Sequence, residues 1–195
     1  MRIGRFGGSF DPINWGHVQP VLEAVSQLGL DRVIYLPTGR PPHKPNRALA
    51  PALARYAMAE LALLDLGQLW VSALELSESA PSYTIDTLLH FRRERPGDEL
   101  CLLVGADSYA ELRSWHRCGE ILAAATIAVL ARPGIAAPTS LQAVLPPARV
   151  AFVANRSLAV SSTEVRRLLA RGERPPADWV PKPVVDFAFK YQLYR

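Results

Sequence analysis

The stretch Gly7-Gly8-Ser9-Phe10-Asp11-Pro12-Ile13-Asn14-Trp15-Gly16-His17 constrains this chain more than any other. It follows a short strand-type run, Arg2 to Phe6, and precedes apolar residues at helical spacing, Val21, Leu22, Val25 and Leu28. The order reads as strand, Gly-rich turn, loop, helix. Two adjacent glycines let the backbone approach a bulky anionic ligand. Gly16-His17 sets an imidazole on the first turn of a helix expected from about 16 to 28, with Gly29 as its C-cap. Exposed N–H groups and the positive end of the helix dipole lie there too, so the stretch is a phosphate site with a proton-carrying side chain.

The next apolar run, Arg32 to Leu36, is bounded by Pro37 and Gly39 and reads as a strand buried on both faces. Strand, helix, strand at this spacing is a βαβ unit, which predicts a parallel sheet with a right-handed crossover. Pro37 to Pro45 holds four prolines and must be a stiff loop at the carboxyl end of the second strand, where ligands of open α/β sheets bind. It reads either as a surface loop with solvated Lys and Arg or as a rigid arm presenting His43 and Lys44 to phosphates. The Ala- and Leu-rich run 48–66 predicts a helix with Met58 and Leu61 in the core, and 69–76 alternates like a third strand.

Ser82-Tyr83-Thr84 opens another helix, with Ser82 or Thr84 able to cap it. Residues 99–104 predict a fourth strand ending in Gly105-Ala106-Asp107-Ser108; Asp107 suits ribose hydroxyls or a helix cap. Residues 126–131 predict a fifth strand, closed by Arg132-Pro133-Gly134, and 149–153 a sixth. Between them, 136–147 reads as a loop with one short helix. Val160 to Leu169 is an amphipathic helix capped by Ser161 or Ser162, and 179–195 reads as a final helix.

Composition narrows the class. The 195 residues are 49% hydrophobic, enough for a core of one domain. The net charge of +4 is scattered rather than clustered, so a small anionic substrate accounts for it and no nucleic-acid partner is expected. Cys101 and Cys118 form no metal-ligand pattern and imply no disulfide framework, pointing to a reducing cytoplasm. No apolar run reaches membrane-spanning length, so no membrane association is expected.

Residues 7–17 resemble the nucleotidyltransferase pattern GGxFDPxHxGH; Gly7, Gly8, Phe10, Asp11, Pro12, Gly16 and His17 match, whereas Asn14 replaces the first histidine. Pro41-Pro42-His43-Lys44 resembles the PPHK loop of bacterial nicotinate-nucleotide adenylyltransferases, and Ser82 to Leu88 their SYTxxTL run. Gly105 to Ser108 with Trp115 resembles their GxDS…W pattern, and Val160 to Arg166 the ISSTxxR run of the superfamily. These runs cover nearly the whole chain in family order.

The resemblance implies one nucleotidyltransferase domain over 1–195, a Rossmann-like α/β fold. It implies an open parallel sheet of five to six strands with helices on both faces. It implies transfer of the adenylyl group of ATP to nicotinate mononucleotide, with Mg²⁺ arriving on ATP and no protein-built metal site. By the same resemblance His17, Asn14, Lys44, Ser162 and Arg166 are the catalytic set. Gly7, Gly8, Ser9, Phe10, Gly16, Gly105, Asp107, Ser161 and Thr163 join His17, Ser162 and Arg166 in binding ATP. Thr38, His43, Lys44, Tyr83, Thr84, Trp115, His116 and Arg132 bind the mononucleotide. A phosphopantetheine-type adenylyltransferase and a nucleotide-binding relative weakened by Asn14 are the rival readings. The sequence leaves room for a homo-oligomer.

Overall fold

Each doubly apolar run of the sequence becomes a strand of one six-stranded parallel sheet. The computed structural model describes residues 1–40, 49–77, 81–131, 149–156 and 158–195. The strands are β1 (Arg2–Gly8), β2 (Arg32–Pro37), β3 (Leu69–Val71), β4 (Glu99–Gly105), β5 (Thr126–Leu130) and β6 (Val150–Val153), in the spatial order β3-β2-β1-β4-β5-β6. Chain order reverses beside β1, where β2 pairs on one side and β4 on the other. Such a reversal leaves a crevice at the carboxyl ends of β1 and β4, because the crossovers leave in opposite directions.

Alternate residues of each strand pack on opposite faces. Cys101 and Leu103 of β4 join one core with Phe6, Val33 and Tyr35, covered by α1 (Trp15–Leu28), α2 (Ala52–Leu63), α6 (Ser162–Ala170) and α7 (Lys182–Lys190). Leu100, Leu102 and Val104 join a second core under α3 (Thr84–Glu94), α4 (Ala106–Ala110) and α5 (Cys118–Ala124). Burial on both faces explains why these strands read as continuous apolar runs. Among the described residues, no helix is long and apolar enough to cross a membrane.

Several boundaries differ from the sequence expectation, each for a local reason. Gly7 and Gly8 are not a turn but the last residues of β1, opposite Leu36 and Pro37. The left-handed backbone falls instead on Phe10, with φ 45°. A Cβ on Gly8 would lie 2.9 Å from the Phe10 ring, so that glycine is needed for space. β3 stops at Val71 rather than Leu76, because the chain turns so that Glu75 meets Arg5 of β1. Helix α2 starts at Ala52, just after Pro51, and ends at Leu63. Neither Ser82 nor Thr84 caps α3; Tyr83 holds that position without a side-chain bond. The last helix is confined to Lys182–Lys190, entered through Pro181. The short helix expected within 136–147 lies outside the described residues.

Candidate active site

At the carboxyl ends of β1 and β4 lies a cavity of about 380 Å³. One wall is the end of β1 and the residues just after it, Gly7 to Phe10, with His17 from the first turn of α1. The opposite wall is Ser82 to Thr84 with Trp115 and His116, while Thr38, Gly105 and Asp107 lie between.

The local sequence sets the orientation of His17. Its Nδ1 accepts the backbone N–H of Asn14 at 3.1 Å, which closes the start of α1. With Nδ1 accepting, the neutral imidazole carries its proton on Nε2, where it can be donated. The ring stands edge-on to Phe10, with centroids 5.4 Å apart. From below, the Tyr35 hydroxyl donates to the His17 carbonyl at 3.0 Å. Burial pushes the Tyr35 phenol well up, which keeps it a neutral donor.

At the other end, the Tyr83 ring lies 4.5 Å from the His116 ring, tilted by 38°. Beneath Thr84, Arg5 and Glu75 form a buried ion pair that also lines the cavity.

Asn14, Gly16, Ser161, Ser162, Thr163 and Arg166 are brought together behind the residues that follow β1 rather than into the cavity wall. Asn14 Nδ2 donates to Ser162 Oγ at 3.2 Å, and Ser162 Oγ donates to the Pro12 carbonyl at 2.9 Å. A Cβ on Gly16 would sit 3.0 Å from the Val160 side chain, so the starts of α1 and α6 touch there. Ser161 is the cap of α6, accepting from Glu164 N–H at 3.2 Å. Arg166 Nη1 donates to the Asp11 carbonyl at 2.6 Å and lies 3.6 Å from Asp11 Oδ2, while Nη2 reaches Thr163 Oγ1 at 3.2 Å. His43, Lys44 and Arg132 lie outside the described residues.

Sequence reasoning missed the buried polar residues that hold these walls. Asp11 accepts from Ala50 N–H at 3.1 Å and from the Tyr194 hydroxyl at 3.0 Å. Arg55, in the run 48–66 expected to be helical, is fully buried and donates to the carbonyls of Ser9, Thr38, Gly39 and Ala50. Arg5 and Glu75 carried one overlooked signal. An arginine inside a doubly buried strand needs a buried partner, and Glu75 is the one acid in the alternating segment 69–76.

The Cytidylyltransferase-like family model matches residues 5–168. A Thermus thermophilus relative named "Probable nicotinate-nucleotide adenylyltransferase" is 43% identical over 195 residues, covering all of both chains. The chain belongs to the nicotinate-nucleotide adenylyltransferase family. An Acidothermus cellulolyticus member with the same name is 39% identical over 201 residues, covering 100% of this chain and 94% of that one. The family fold extends to a solved Plasmodium falciparum nicotinic acid mononucleotide adenylyltransferase complexed with NaAD. Its TM-score is 0.82 at 20% identity, covering 99% of this chain and 97% of the other.

Proposed function

We propose that this chain, read as one nucleotidyltransferase domain, transfers the adenylyl group of ATP to nicotinate mononucleotide, giving deamido-NAD and pyrophosphate. The carrying observation is that one cavity has the Gly7–Phe10 segment with His17 at one end and the Tyr83–Thr84 helix start with Trp115 at the other. The first end suits phosphates and the second a carboxylated ring, and both line the same 380 Å³.

In the reaction, a 5′-phosphate oxygen of the mononucleotide attacks the α-phosphorus of ATP in line, and the bond to the β-phosphate breaks. No covalent enzyme intermediate is needed, so the protein contributes position and charge stabilisation. His17 donates from Nε2 to the α-phosphate oxygens. Ser162 and Arg166, with Ser161 and Thr163 at the same helix start, receive the departing β,γ-phosphates; Arg166 exchanges Asp11 for phosphate. Lys44 and His43 add charge from the proline-rich segment, and Arg132 from the segment that follows β5 in sequence. Asp107 holds ribose hydroxyls, and Trp115 and His116 flank the pyridine ring.

Beside the acids Glu75, Asp107 and Glu111, the cavity presents hydroxyl and imidazole donors from Ser9, Thr84, His17 and His116, which suit anions. Among the described residues, no three His, Cys, Asp or Glu side chains gather as a metal site. Mg²⁺ would arrive on the triphosphate, and there it would neutralise phosphate charge. Cysteine usage supports the cytoplasm as the compartment.

The test is a panel of acceptors assayed with ATP and Mg²⁺, with products identified by mass. Deamido-NAD should form, with a higher kcat/KM for nicotinate than for nicotinamide mononucleotide. A phosphopantetheine product, or no turnover of any acceptor, would overturn the reading.

A further inference from the structure

Beneath the acceptor end of the cavity lies an ion pair that the phosphate chemistry does not use. Arg5 is 4% exposed and Glu75 3%, yet both line the cavity beside Thr84. Arg5 Nη2 bonds Glu75 Oε1, and Nη1 donates to Thr84 Oγ1 at 3.3 Å. Among the described residues Arg5 Nε has no hydrogen-bond partner. A Cβ on Gly7 would lie 3.5 Å from Nη2, so the guanidinium spans from the end of β1 to the start of α3.

Glu75 ties three walls together. Its carboxylate accepts from Thr87 Oγ1 at 2.6 Å and from Thr38 Oγ1 at 3.4 Å. Its carbonyl accepts from Gly39 N–H at 2.7 Å and from Ser82 Oγ at 3.4 Å. A carboxylate is well suited to that work because it accepts on every side. Alone, however, it would hold a full negative charge under a site meant for an anion, where poor screening makes repulsion strong.

We infer that Arg5 and Glu75 determine acceptor specificity: Arg5 cancels the charge of Glu75, so that a ring bearing a carboxylate can bind over Thr84. The inference rests on the acceptor reading above and adds the residues that set the charge there. Hydrophobic packing would fill the space at similar or better stability, so burying the pair favours a role in charge balance.

The test compares kcat/KM for nicotinate and nicotinamide mononucleotides in the wild type and three variants, with ATP saturating. Arg5→Leu leaves one buried negative charge and should lower the nicotinate/nicotinamide ratio by about tenfold or more, through the nicotinate KM. Glu75→Gln leaves a positive charge and should raise the ratio. The double variant restores neutrality and should return it to within about threefold of wild type. A ratio that does not follow the sign of the charge, with both acceptors weakened alike, overturns the inference. If Arg5→Leu does not fold, the Glu75→Gln and double variants still test the order. Failure of the wild type to use nicotinate mononucleotide would instead overturn the functional reading.

Discussion

Asn14 is 1% exposed, with its Nδ2 donating to Ser162 Oγ. It stands where the family pattern has a histidine, between His17 and the start of α6. An amide donates but carries neither charge nor proton, whereas an imidazolium makes a charge-assisted bond. The difference, about 1–2 kcal/mol in the transition state, corresponds to roughly 5–30-fold in rate. Asn14→His should therefore raise kcat several-fold at saturating substrates near neutral pH, with little change in either KM. An unchanged or lower kcat would mean that this site does not use the position electrostatically. At this scale His17 was legible from its place after Gly16. The way its Nδ1 is held was not, because that bond requires the backbone of Asn14 in a particular turn.

Elements are joined here by close backbone approach. Gly39, just past β2, crosses the segment that follows β3. A Cβ there would overlap the Ser77 carbonyl and come within 2.5 Å of the Leu76 carbonyl oxygen. These obstacles are backbone, so they cannot swing aside like a side chain. Gly39→Ala should cost about 1–3 kcal/mol, read as a lower urea midpoint. It should also raise the acceptor KM more than the ATP KM, because Thr38 and Glu75 move with the crossing. Unaltered stability in Gly39→Ala would show that the crossing yields easily. Alternation through Leu76 suggested a longer strand. An alternating pattern records which side chains are apolar, and it does not show that the chain leaves the sheet so that Glu75 can meet Arg5.

Across the whole molecule, burial produces a shared response to alkali. Burial pushes the Cys101 thiol up to about 11 and raises the Tyr35 and Tyr109 phenols. Tyr194 is raised by burial first, then by the charge of Asp11 and its bond to it. Above about pH 9 the unfolded chain releases protons that the folded chain retains, so stability falls as pH rises. The unfolding free energy from urea titrations should hold near pH 8 and then fall between pH 9 and 11, by on the order of 1–3 kcal/mol, with the midpoint falling alongside. A midpoint that stays level to pH 11 would contradict the burial of these groups. The sequence by itself determined the parallel sheet, because strands buried on both faces read as near-continuous apolar runs. It also determined the Ser161 cap of α6 and the Gly29 end of α1, because a hydroxyl cap and a left-handed glycine act through their own local backbone. Only the tertiary structure decided the Arg5–Glu75 pair, the Arg55 clamp and the Tyr194–Asp11 contact. Arg5 and Glu75 are 70 residues apart, and Asp11 and Tyr194 183. Such partners have no shared periodicity to mark them; they meet because the sheet order brings their elements together, and buried charge then requires that they pair.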